Sequence, residues 1–210
     1  MISPRPPHHK ALASLCAEAY GSHTFVAREL EGLHRHMDVK VNEWPEVQVI
    51  ALRGTEFTDA LFNGGWADIV RDLLVWPKRI PGVGVGHAGF ITGGADVFQT
   101  VVPRLSLDKP IICTGHSLGA AVAQVLALLL KQSGLPVVEY VGFGCPRVFA
   151  GKPDWGDVAV THYQHSADIV PLLLPPGLLY RHPAKACVIG KRHFWPSFKY
   201  HDIHHYCREV

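Results

Sequence analysis

No stretch of the sequence is apolar for long enough to cross a bilayer. The richest run, Leu118–Leu130, covers 13 residues and carries Gln124, whereas a spanning helix needs about 20. A CxxC pair is also missing. The five cysteines (Cys16, Cys113, Cys145, Cys187, Cys207) are odd in number and widely spaced, which argues against a zinc ribbon or a thioredoxin-type site. They predict free, mostly buried thiols of a reducing compartment. Charge is sparse, at 18% of residues with a net of +2. Arg79, Arg104, Arg147 and Arg181 are scattered rather than blocked, so no polyanion-binding surface and no nucleic-acid partner are expected. Internal repeats, low-complexity tracts and interdomain linkers are lacking too. The first residues, MISPRPPHHKALASL, have no long apolar run behind their positive charges and do not read as a signal peptide. A cytoplasmic placement is the expectation, although a processed secreted chain would look the same.

What is present is a core. Apolar residues make up 48% of the 210, enough for one domain over 1–210 and short for two. Ala11–Tyr20 has helical spacing. Thr24–Arg28 and Asp38–Asn42 read as short strands, an antiparallel pair at a sheet edge. Glu46–Leu52, Pro110–Thr114, Val137–Phe143, Val158–Gln164 and Ala186–Ile189 read as further strands. Helices are predicted over His87–Leu105, despite Gly93-Gly94, from Leu118 to about Lys131, and over His201–Glu209. Strands alternating with helices imply right-handed crossovers and an α/β fold: a mostly parallel central sheet with helices on both faces.

One stretch stands out. In TGHSLGAAVA (114–123), Ser117 lies between Gly115 and Gly119, where an apolar strand ends and an apolar helix begins. G-x-S-x-G at such a junction fits a nucleophile elbow. The serine hydroxyl is thrust above the sheet, and the helix start offers free N–H groups to a developing oxyanion. The pattern alone is weak, and a structural turn serine would look similar. An elbow serine needs an acid and then a histidine further along the chain. Asp168 follows a predicted strand and fits the acid, whereas Asp154 and Asp157 lie in KPDWGD, which reads as a solvated loop. Spacing leaves the histidine open among His182, His193, His201, His204 and His205.

These motifs jointly resemble the class 3 lipases, the fungal-type triacylglycerol lipase family of the α/β-hydrolases. ALRGT (51–55), GHAGF (86–90), TGHSLGAAVA (114–123), GFGCPRV (142–148) and HSADIVPLLLPP (165–176) carry the resemblance, closed by HDIHHY (201–206). It implies the α/β-hydrolase fold, with Ser117 as nucleophile, Asp168 as orienting acid and His201 as general base; His204 is the runner-up. It further implies oxyanion donors from Thr55 and from the N–H of Leu118. The segment around 56–75 corresponds to the family's lid, with Phe57, Leu61, Phe62 and Trp66 as its apolar groups and Gly64-Gly65 as a hinge. An ordinary kinked core helix would give the same pattern. Asp72 matches an architectural position near the end of that lid.

The implied activity is ester hydrolysis through an acyl-enzyme, on acylglycerols or similar lipid esters. Short-chain or polysaccharide-ester esterase, phospholipase and a non-catalytic lipid-binding protein are the alternatives. Partners are then a lipid or small ester and, transiently, a lipid–water interface. The 14 histidines invite a metal, as at His34-x-His36 and His204-His205. No fitting carboxylate or cysteine pattern accompanies them, so neither a metal nor an organic cofactor is expected.

Overall fold

The structure is a computed structural model that describes residues 8–20, 26–27, 37–54, 77–173, 180–191, 193 and 195–210. Its centre is a sheet built from β1 (Val26–Ala27), β2 (Met37–Glu43), β3 (Gln48–Leu52), β6 (Ile111–His116), β7 (Val137–Phe143), β8 (Ala159–His165) and β9 (Cys187–Ile189), in the spatial order β1-β2-β3-β6-β7-β8-β9. The pairs from β3 to β9 are parallel, and β1 and β2 are antiparallel at one edge. The apolar runs explain the parallel part, because β3 and β6 are buried along their whole length, as strands covered on both faces must be.

Among the described residues, two helices lie on each face. Ile50, Leu52, Ile111, Cys113 and Tyr140 point into a core shared with α2 (Ala88–Val101) and α3 (Leu118–Gln132). The alternate positions Val49, Ile112, Val141, Phe143 and Tyr163 pack with α1 (His8–Glu18) and α4 (Ile203–Glu209). Gly93-Gly94 does not break α2, because that helix lies tightly on α3. A Cβ on Gly94 would run into the Val125 side chain.

Among the described residues, a strand pair is additional to the strands expected. Pro77–Ile80 (β4) and Gly84–His87 (β5) form a separate antiparallel hairpin, in a stretch whose glycines suggested only a lead-in to α2. β4 is largely exposed and β5, half of it buried, has two glycines among its four residues, so the hairpin offers little apolar periodicity to read. The last predicted helix is divided into a 3-10 turn, Phe198–His201, and α4, whose N-cap Asp202 accepts from the His204 N–H. Among the described residues, no helix is long and apolar enough to cross a membrane.

Candidate active site

The strand register sets the position of the site. Leu52 is level with Gly115, His116 with Phe143, and Phe143 with Tyr163, so four parallel strands finish together. Ser117 follows β6 directly. Its φ is +58°, which no other described non-glycine residue shares in sign, and such backbone strain concentrates at functional sites. The Ser117 N–H donates to Phe143 O at 2.9 Å, and Ser117 O accepts from the N–H groups of Ala120 and Ala121 at the start of α3.

The flanking glycines make this turn sterically feasible. A Cβ on Gly115 would lie 2.6 Å from Gly119 O, and one on Gly119 would collide with the backbone carbonyls of Leu52 and Arg53. Both obstacles are backbone and cannot rotate away.

Asp168 lies three residues beyond β8, fully buried. His201 ends the 3-10 turn that precedes α4. The two loops are stitched together where the Ser197 N–H donates to Ala167 O at 2.8 Å. His201 Nε2 is 2.7 Å from Ser117 Oγ, and His201 Nδ1 is 2.8 Å from Asp168 Oδ2. A carboxylate oxygen only accepts, so Nδ1 carries the hydrogen and Nε2 is left to accept from the serine hydroxyl. His201 is thus the histidine that meets Ser117. His204 lies in the first turn of α4 and is exposed, and His205 follows it.

Further groups surround this path. The buried Tyr206 hydroxyl donates to Asp168 Oδ2 at 2.5 Å and accepts from the His165 N–H, while the Val170 N–H donates to Asp168 Oδ1 at 2.9 Å. Burial and the adjacent Asp168 carboxylate push the Tyr206 phenol well above its usual range, so it remains a donor. Gly144, at φ +58°, passes beneath, where a Cβ would crowd Asp168, Tyr206 and His201 within about 3 Å. The His116 ring lies 4.6 Å from that of His201 at 31°, with Nδ1 2.8 Å from the Tyr20 hydroxyl. Burial, and then the neighbouring His201, hold His116 well below its ordinary pKa. It is therefore a neutral ring against His201.

Leu118 is the first residue of α3, where backbone N–H groups lack partners within the helix. Thr55, Asp72, His34, His36 and the expected lid at 56–75 lie outside the described residues. In the sequence Tyr206 stands out only as an aromatic in the closing block, and nothing marks the Tyr20–His116 pair, whose members are 96 positions apart.

The family model for class 3 lipases matches residues 49–177. The chain belongs to the class 3 lipases. Among relatives, the secreted mono- and diacylglycerol lipase 1 of Fusarium solani is 35% identical over 113 residues, which are 49% of this chain and 33% of that protein. A Caenorhabditis elegans lipase, ZK262.3, is 31% identical over 150 residues, 64% of this chain and 40% of that one. This class 3 lipase chain thus spans between a third and two fifths of the relatives' lengths. The Fusarium protein is secreted by its name, which lends no support to a cytoplasmic placement.

Solved structures show the same fold. The Lip2 lipase of Yarrowia lipolytica aligns with a TM-score of 0.60 and 20% identity, covering 84% of this chain and 77% of that one. A Rhizopus microsporus lipase aligns at 0.63 and 19%, covering 86% and 71%. At such identities the likeness establishes the α/β-hydrolase fold alone.

Proposed function

We propose that this class 3 lipase chain is a serine carboxylic-ester hydrolase acting on acylglycerols or similar lipid esters, with Ser117, His201 and Asp168 as its catalytic residues. One observation carries the reading: a continuous hydrogen-bonded path from Ser117 Oγ through the His201 ring to the Asp168 carboxylate, with separations of 2.7 and 2.8 Å. Ser117 attacks the ester carbonyl while His201 Nε2 takes the hydroxyl proton and passes it to the leaving alcohol. Asp168 keeps the imidazole tautomer and stabilises the imidazolium. That cation forms against the neutral His116 ring rather than beside a second positive charge. Water activated by His201 then releases the acid. The N–H of Leu118 and the donors of Thr55 complete the proposal as the oxyanion site, where each donor is worth about 2.7–4 kcal/mol.

The whole of 1–210 is read as one domain, with 56–75 as its cover. The acylglycerol class is favoured by the name of the Fusarium relative, a mono- and diacylglycerol lipase.

A fluorophosphonate probe and p-nitrophenyl esters test the chemistry. The probe should label Ser117. Ser117→Ala should abolish labelling and lower ester turnover by about 10⁴-fold or more without unfolding the chain. Unimpaired turnover in Ser117→Ala would refute the assignment, and an unlabelled wild-type chain would favour the non-catalytic lipid-binding alternative. Rates on mono- and diacylglycerols against short-chain esters and phospholipids then assign the substrate class.

A further inference from the structure

At the opposite end of the sheet from Ser117, two adjacent histidines of the first turn of α1 converge on one carboxylate of β7. His8 Nε2 is 2.8 Å from Glu139 Oε2, and His9 Nε2 is 2.7 Å from Glu139 Oε1. One potential ligand atom from each of the three residues lies within 4.8 Å of the others. Glu139 precedes Phe143 by four positions in β7, which separates it from the strand ends by roughly 13 Å. The hydrolytic reading makes no use of this cluster.

We propose that His8, His9 and Glu139 form a binding site for a zinc-class divalent transition metal. Two imidazoles and a carboxylate suit borderline ions such as zinc, whereas calcium and magnesium prefer all-oxygen sites. Three protein donors leave a fourth tetrahedral position for water. Ligand atoms around such an ion are about 3.3 Å apart, so the two nitrogen–oxygen contacts have to open by roughly half an ångström.

The surroundings suit the role. The His9 side chain is only 2% exposed, and its other nitrogen, Nδ1, lies 2.8 Å from the Tyr163 hydroxyl. Such an outer partner fixes ring orientation in metal sites. When His9 Nε2 binds the ion, its hydrogen is carried on Nδ1 instead and points at Tyr163 Oη. The hydroxyl rotates to accept it. His8, with 40% of its side chain exposed, provides the entry path. Sequence spacing could not reveal the site, because its carboxylate comes from 130 positions further along the chain. Occupied, it would pin the first turn of α1 to the central sheet.

The test uses the full chain, stripped with a chelator and titrated with zinc chloride by calorimetry and by thermal melting. One equivalent should bind, and at a hundredfold excess over Kd the Tm should rise by about 5 °C or more. His8→Ala, at the half-exposed ligand, and Glu139→Gln should each weaken zinc affinity at least tenfold and remove the Tm shift. The double substitution His204→Ala, His205→Ala should leave both unchanged. Absence of zinc uptake by the wild-type chain would overturn the proposal, as would equal affinity in His8→Ala and Glu139→Gln. Ester turnover by the metal-free chain is measured alongside. Because the two sites are separate, its presence or absence bears on the hydrolase reading and not on the metal.

Discussion

Asp168 is held by three donors rather than one. Besides His201, it accepts from the Tyr206 hydroxyl and the Val170 N–H, so the carboxylate that orients the imidazole is itself fixed. Hydrogen bonds to charged groups contribute about 1.5–3 kcal/mol. Tyr206→Phe should therefore lower the urea midpoint and reduce kcat for ester hydrolysis about ten- to a hundredfold, with KM little changed. A kcat equal to wild type would show that Asp168 needs no help from Tyr206. At this scale the sequence was informative in an uneven way. Ser117 announces itself through flanking glycines and Asp168 through its place after a strand. Histidine spacing alone could not distinguish His201 from His204, because the choice depends on where a 3-10 turn delivers the ring. Tyr206 and the Tyr20–His116 pair depend on contacts over dozens of residues, which periodicity does not encode.

Elements show how local sequence and tertiary crowding combine. The junction of β6 and α3 works only because Gly119 lies against the backbone at the end of β3, with no room for a Cβ. Gly119→Ala should destabilise the chain by about 3 kcal/mol through overpacking that no rotamer change relieves, and the measurement is a shift in denaturant midpoint. An unchanged midpoint would mean that the β3 turn yields more readily than its carbonyl contacts suggest. Buried parallel strands were legible because their apolar runs are continuous, and α3 because its core face covers most of the helix. The β4–β5 hairpin was not, since exposed β4 and glycine-rich β5 carry no alternation of apolar residues. Helix ends were also hard to place. The expected helix at 11–20 begins at His8 and ends at Glu18, and its first two residues are polar side chains turned toward Glu139 rather than a cap.

At the scale of the whole molecule, buried histidines set the response to acid. His116 is held well below its ordinary value, while burial and nearby charge lower His162 to about 3 and His182 to about 4. In the unfolded chain these rings protonate near 6.5. Between that value and the folded ones, the unfolded state holds more protons, so stability is complete above pH 6.5 and falls as pH drops. A fully buried ring contributes a slope of at most about 1.4 kcal/mol per pH unit. Urea midpoints measured from pH 7 to 4.5 should decline, and His162→Phe should flatten that decline. An identical slope in the variant would place the acid sensitivity elsewhere.

The hydrogen bond between Ser117 and His201 joins positions 84 apart, and every strand between them must be in register before it can form. The hydroxyl and imidazole meet only once β7, β8 and β9 have joined β6, so recovery of reactivity after dilution from denaturant becomes a clock for completion of that half of the sheet.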